Sequence, residues 1–348
     1  MINTAKKLAI YMDGALDTDY GKMGIGVMCF SANPITCVID SKHQGKTVRE
    51  AIGQPFDYPI VGSINQAHQM GSEVLVLGIA PSGGKFPDSW NKPISESLIL
   101  GMSLINGLHD DLNARFGHLI DQSKEDQVIW DVRKPAKNYP IASAKAGALG
   151  NLRVLLVGTD MAVGKMTTGI ELYRWFRERH YSTEFLATGQ IGITVMGKGI
   201  PLDAIKVDQA CGAVEDLVLS AADKDFVFVE GQGSLLHPGS TATLPLMRGS
   251  CANRLILCHR AEMKNLFDQP KVKIPPLKEF IALNEAVSSS CGSLTPAKCI
   301  GIALNTFKLT REDALKKIKE TEDQTGLPVT DVVRFGPEKL AMALIKSR

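Results

Sequence analysis

Short β-branched runs alternate with longer patterns of helical period along this chain. Lys7 to Met12, Gly24 to Phe30 and Thr36 to Ile39 read as strands. Thr47 to Ile52 begins a helix, Pro59 to Val61 is a short strand, Ile64 to Met70 a helix, and Val74 to Ile79 a strong strand. Ile94 to Gly107 reads as a helix with Leu98, Leu100, Met102 and Ile105 apolar, and Val128 to Trp130 as a strand. Strands alternating with helices predict a parallel sheet, with right-handed crossovers placing helices on both faces.

The alternation lapses between Lys134 and Gly150, where prolines, alanines and glycines crowd together. It then resumes with Val154 to Gly158, a buried-strand pattern, and a helix continuing to about His180. Ile170, Tyr173 and Phe176 form the apolar side of that helix, and Arg174, Arg177 and Glu178 its solvent side. Phe185 to Gly189, Phe226 to Glu230, Arg254 to Cys258 and Cys299 to Leu304 follow as strands, with helices over Lys278 to Ser288 and Arg311 to Thr321. Gly189 to Gly199 is too glycine-rich for a plain helix, while Asp208, Gly212 and Glu215 share one helical face. The expected fold class is α/β in two domains, a Rossmann-like parallel sheet followed by a P-loop NTPase-like parallel sheet. Residues 1-135 form the first domain, 136-150 a linker, and 151-348 the second domain.

The second domain opens with the chain's strongest chemical signal. Gly158 and Gly164 bracket a turn between strand and helix, and Lys165 follows. This reads as a Walker A-type loop, whose usual form is G-x-x-x-x-G-K. Glycines let successive backbone N–H groups converge on one anion, and the helix N-terminus adds partial positive charge. Lys165 is expected to face solvent in the empty loop and to curl over the outer phosphates. Met166 stands where Ser or Thr normally ligates Mg²⁺, and Thr167 comes one residue late, as in loops reading G-K-x-T. Glu230 closes an apolar strand as a Walker B acid does, so Thr167 and Glu230 are the candidate Mg²⁺ ligands if the loop binds ATP. A strand-end carboxylate facing water is the plainer reading of Glu230.

Composition narrows the partners. The chain has 348 residues, 44% of them hydrophobic and 22% charged, with a net charge of +2. That balance gives no reason to invoke nucleic acid or a membrane surface, and no apolar run reaches spanning length. The seven cysteines lack any C-x-x-C or zinc spacing. Reduced thiols in a cytoplasmic protein without a signal peptide are the expectation. The partner is a small molecule, and a homo-oligomer is expected.

Three loops of the first domain carry cations after strands: Lys42 and Lys46, then Lys85, then Arg133 and Lys134. Ligands of open α/β sheets bind at that edge. Lys46, Lys85 and Arg133 are therefore candidate substrate-binding residues, against the plainer reading of solvated surface charges. His109 and Asp110 lie side by side, placed to orient one another for proton transfer. His237 follows the Glu230 loop and His259 follows the next strand. Each histidine is a candidate base or a satisfied core side chain.

The chain resembles a family of two-domain bacterial and archaeal proteins of unknown function, with a Rossmann-like N-terminal part and a P-loop C-terminal part. The resemblance rests on Val38 to Thr47, Gly78-Ile-Ala-Pro-Ser-Gly-Gly84, Gly107-Leu-His-Asp110, Trp130 to Pro135, Gly158 to Thr168, Thr188-Gly-Gln190, Val229 to Pro238, Leu257-Cys-His259 and Gly301 to Thr306. It implies that Met166 belongs to the loop and that Gly158, Thr159, Asp160, Gly164, Lys165, Met166, Thr167 and Thr168 form the phosphate site. The Gly-Thr-Asp opening and the Val-Glu-Gly-Gln-Gly run also resemble dethiobiotin synthetase. The family includes a D-glutamate N-acetyltransferase, which implies acetyl-CoA as donor and an acidic amino acid as acceptor; His237 and His109 are the candidate bases for the amine proton. A ligase or kinase using ATP and Mg²⁺ is the second expectation. A nucleotide-gated binding protein without catalysis is the third.

Overall fold

The computed structural model describes residues 2–79, 86–121, 123 and 126–348. The chain forms two compact units: Met1–Ala136 with Gln190–Ala204, and Lys137–Gly189 with Ile205–Arg348. The segment Gln190–Ala204 thus leaves the phosphate-loop unit in sequence and packs with the first unit.

The strands of the first unit are β1 (Leu8–Tyr11), β2 (Ile35–Ile39), β3 (Ile60–Val61), β4 (Val74–Leu77), β5 (Ser103–Asn106) and β6 (Ile129–Asp131). They pair in parallel in the order β3-β2-β1-β4-β5-β6. Order reverses between β1 and β4, and both strands are buried along their whole length, as their continuous apolar sequences require. The helices are α1 (Lys22–Phe30), α2 (Val48–Ile52), α3 (Ile64–Gln69), α4 (Asn91–Ile99), α5 (Leu112–Phe116) and, from the returning segment, α7 (Gln190–Met196). Leu75, Leu77, Ile94, Leu98, Leu104 and Ile129 are among the core residues that bind helix to sheet.

Three sequence expectations fail here. Gly24 to Phe30 lies within helix α1 rather than a strand. The alternation Met-Gly-Ile-Gly-Val-Met imitates a strand because its glycines serve close approach: a Cβ on Gly24 would strike Met12, and one on Gly26 would strike Ile191 of α7. The helix expected over Ile94 to Gly107 ends at Ile99. Gly101 then turns with φ 84°, which favours glycine, and Ser103 enters β5. Gly189 to Gly199 holds the seven-residue helix α7, its interior glycine buried against neighbours.

The second unit contains β7 (Leu152–Gly158), β8 (Thr183–Leu186), β9 (Phe226–Val229), β10 (Arg254–Arg260), β11 (Lys298–Asn305) and β12 (Val329–Thr330). These pair in parallel in the order β12-β11-β10-β7-β9-β8. Its helices are α6 (Lys165–Glu178), α8 (Val207–Leu219), α9 (Thr243–Ser250), α10 (Leu277–Ser288), α11 (Arg311–Thr325) and α12 (Glu338–Lys346). Strand β7 lies inside the sheet with every residue buried, and α6 packs Ile170, Leu172 and Phe176 inward. Residues 137–150 run over α8, where buried Glu215 accepts from the backbone N–H groups of Ser143 (2.9 Å) and Lys145 (2.6 Å). Gly212 of α8 has no room for a Cβ beside the Pro140 carbonyl. Among the described residues, no helix is long and apolar enough to cross a membrane.

Candidate functional site

Strand β7 delivers Gly158 to the sheet's carboxyl edge, and α6 begins at Lys165. Five residues stand between Gly158 and Gly164, one more than in the usual G-x-x-x-x-G-K form. The longer turn is fixed by side chains. Asp160 is buried and accepts from the N–H of Met161 (2.7 Å) and of Phe267 (2.8 Å). Thr159 Oγ1 meets His259 Nδ1 at 2.9 Å. Arg260 donates to the Ala162 carbonyl at 3.0 Å, bracing a residue with φ 53°. Gly164 caps α6 at φ 109° with no side-chain cap, so the first N–H groups of the helix stay available as anion donors.

Lys165 does not face solvent as expected. It is 7% exposed and its Nζ donates to the Asp160 carbonyl at 2.8 Å. Its stem lies across two glycines: a Cβ on Gly158 would be 3.1 Å from its Cδ, and one on Gly231 would be 2.9 Å from it. Burial pushes the ammonium down to about 8, against the opposing pull of Cys258, Asp160 and Glu230.

Glu230 is likewise buried rather than facing water. Its Oε2 accepts from the backbone N–H of Thr188 (2.8 Å) and Gly189 (3.1 Å). Burial raises its carboxyl to about 7 despite these bonds. Met166 and Thr167 are half-buried on the first turn of α6, and buried Thr168 turns its hydroxyl to Cys258 at 3.6 Å. Among the described residues, no group of three or more His, Cys, Asp or Glu is arranged to hold a metal ion.

The histidines differ in what they offer. His237 Nδ1 accepts from the Gly239 N–H at 3.1 Å, so the ring proton sits on Nε2, which is buried without a partner among the described residues. It presents a donor, not the base expected. Burial lowers His259 to about 4, so it stays neutral behind the loop.

In the first unit, His109 Nε2 contacts Arg133 Nη1, and Arg133 in turn bonds Asp203 Oδ2 at 2.6 Å. Burial, then the Arg133 charge, hold His109 below its ordinary value. Asp110 does not orient it: Oδ2 accepts from the Phe86 N–H at 2.8 Å. Of the expected cationic edge, Lys46 is exposed, Lys42 pairs with Asp17, and Lys134 pairs with Asp111 at 2.9 Å. Lys85 lies outside the described residues.

A dyad outside the sequence expectations lies at the end of β2. Asp40, 1% exposed at the end of β2, accepts from Gly14 N–H (2.9 Å) and contacts Nδ1 of buried His43. An Asp-x-x-His step directly after an apolar strand was its signal. Arg260 and Asp203 carried none, because each acts on a loop remote in sequence.

Comparison with known proteins agrees with this architecture. Residues 41–135 match a domain of unknown function described as the DUF1611_N Rossmann-like domain. Residues 140–341 match one described as the DUF1611_C P-loop domain. A protein named D-glutamate N-acetyltransferase from Tritonibacter scottomollicae is 34% identical over 81% of this chain and 84% of its own length. One of the same name from a Pseudoalteromonas species is 31% identical over 88% of this chain and 90% of its own. A crystal structure of a DUF1611 family protein from Anabaena variabilis superposes with a TM-score of 0.93 at 44% identity, covering 98% of this chain and 99% of that one. The chain belongs to the DUF1611 family, with its Rossmann-like N-terminal domain and its P-loop C-terminal domain.

Proposed function

We propose that the protein is an N-acetyltransferase whose phosphate loop binds acetyl-CoA by its pyrophosphate, with an acidic amino acid such as D-glutamate as acceptor. One observation carries this reading: the loop is equipped to neutralise a pyrophosphate without a metal. Gly164 leaves the α6 amides uncapped, and Lys165 is packed against the turn. Met166 replaces the metal-binding hydroxyl, and Oε2 of Glu230 already accepts from two backbone amides. The names of the two relatives support the acetyl group and the acceptor.

The amine nitrogen attacks the thioester carbonyl, the amide bond forms, the C–S bond breaks, and coenzyme A leaves as the thiol after taking up a proton. The buried Nε2–H of His237 suits stabilisation of developing negative charge rather than proton removal. His109 offers no free lone pair at Nε2 either, because that nitrogen already accepts from Arg133. The competing reading, an ATP-dependent ligase with Mg²⁺ on Thr167 and Glu230, requires a buried carboxyl whose Oε2 already accepts from two amides to take on the ion as well.

Thermal denaturation, with acetyl-CoA in EDTA and with ATP in Mg²⁺, tests the choice. Acetyl-CoA should raise the melting temperature of the wild type and not that of Lys165→Ala. Stabilisation by ATP with Mg²⁺ and none by acetyl-CoA would reverse the assignment.

A further inference from the structure

A third histidine, in the first unit, offers what His237 and His109 do not. His43 closes the single 3-10 turn Ser41–His43 after β2, and its side chain is 11% exposed. Asp40 occupies the N-cap position of that turn, yet its carboxylate caps nothing. Asp13, in the loop after β1, does so instead: its Oδ1 accepts from the Ser41 N–H (2.8 Å) and hydroxyl (2.7 Å). The buried carboxylate of Asp40 is thereby left for two other partners, the Gly14 N–H on Oδ1 (2.9 Å) and His43 Nδ1 on Oδ2.

The second contact fixes the ring. A carboxylate oxygen accepts, so the ring proton sits on Nδ1 and Nε2 carries the lone pair. Among the described residues Nε2 has no hydrogen-bond partner. It faces Asp17 Oδ2 at 3.8 Å, too far for a hydrogen bond. Asp17 also pairs with the exposed Lys42. A buried Asp–His pair can serve packing alone. What sets this one apart is the open nitrogen facing a second carboxylate, where one ammonium group reaches both. The place in the fold agrees. Gly14 and Asp13 tie the loop after β1 to the loop after β2, and strand order reverses between β1 and β4. Open α/β sheets take ligands at that carboxyl edge.

We propose that His43 is the base for the acceptor's amino group, with Asp40 as its positioning residue and Asp17 facing the same ammonium. The inference rests on the acetyltransferase reading above and adds the group that reading lacks. Nε2 takes one proton from the ammonium, which frees the nitrogen lone pair to attack the thioester carbonyl. As the C–N bond forms and the C–S bond breaks, the second amine proton goes to the departing thiolate. The imidazolium returns its proton to solvent, so one proton is released per amide formed.

Steady-state turnover of acetyl-CoA and D-glutamate by full-length variants tests it, read as thiol release. General-base catalysis is worth about a hundredfold or more. His43→Gln should lose about that much in kcat while coenzyme A affinity by calorimetry stays within about twofold of wild type. Added imidazole should restore turnover to His43→Ala, which it would not do for a histidine that only packs. Asp40→Asn should lower kcat with little change in the KM for D-glutamate, and Asp40→Glu should recover part of the loss. A kcat within about twofold of wild type in His43→Gln overturns the base and leaves the acetyltransferase reading standing. If the His43 variants fail to bind coenzyme A, the wild type decides. Diethyl pyrocarbonate should label His43, located by mass spectrometry, and D-glutamate with desulfo-coenzyme A should slow that labelling severalfold relative to desulfo-coenzyme A alone. A ring that takes no label, or labels equally fast in both, overturns the proposal. A wild type that acetylates no D-glutamate removes both the base and the reading beneath it.

Discussion

Lys165 Nζ donates to the backbone carbonyl of Asp160 across 2.8 Å, so the phosphate loop is closed on its own lysine. An incoming anion therefore competes for an ammonium that is already partnered and partly desolvated. With its proton held at about 8 instead of the usual 10.5, Lys165 begins to lose charge within a workable pH range.

A pH dependence of binding follows. The charged lysine is the form that attracts phosphate, so affinity for coenzyme A should fall as pH rises through about 8, by up to about tenfold per unit. Titration calorimetry between pH 7 and 9 measures this slope. Lys165→Met should bind weakly with no such slope; an equal slope in the variant would assign the titration to another group.

Stability should show the opposite neighbour. Burial raises Glu230 to about 7 from 4.5, so the native state keeps this proton where the unfolded chain has lost it. The contribution is fully present below the unfolded value and is lost as pH rises through about 7, with an upper size of about 3 kcal/mol. Denaturant melts of wild type and Glu230→Gln from pH 4.5 to 7.5 compare the two. The variant should lose the decline; an unchanged decline would mean Glu230 ionises freely.

Two glycines around Lys165 should fail for different reasons. A Cβ on Gly231 would run into the Leu156 carbonyl of central strand β7 and crowd Lys165 Cδ at 2.9 Å. Gly231→Ala should lower stability by about 3 kcal/mol or more, since a strand carbonyl cannot give way. Gly164 has nothing within 4 Å of an added Cβ, but its φ is 109°. Gly164→Ala should cost about 1–2 kcal/mol in backbone strain and bind phosphate more weakly. Thermal melts rank the two, and equal melting temperatures would contradict the packing around Gly231.

These cases also show what was legible before the fold was known. The strand–turn–helix around Gly158 and Lys165, and the acid closing β9, were readable because strand, glycine turn and helix start are local properties of the chain. The Rossmann-like first unit was readable from its alternating elements. Gly24 and Gly26 were misread because their reason, Met12 and Ile191, lies elsewhere in sequence. Lys165 was expected in solvent because its burial depends on Gly231, which only the pairing of β7 with β9 brings beneath it. His109 and Asp110 are neighbours in sequence, yet Asp110 turns to Phe86 while Arg133 and Asp203 reach His109 from afar.

Residues 137–150 supply a further test. Glu215 holds them through the N–H groups of Ser143 and Lys145. Glu215→Ala leaves two amides without acceptors and should cost about 3 kcal/mol. Limited proteolysis should then cut within 137–150 sooner than in wild type, with Glu215→Gln intermediate. Equal cleavage rates in all three proteins would show that this carboxylate does not anchor the segment.

The most direct measurement is release of free coenzyme A thiol from acetyl-CoA in the presence of D-glutamate, with excess EDTA and no ATP. The account predicts acceptor-dependent turnover that survives chelation, is abolished in Lys165→Ala, and is impaired less by Glu230→Gln. Turnover that collapses on chelation and returns only with Mg²⁺ and ATP would contradict it and favour the ligase.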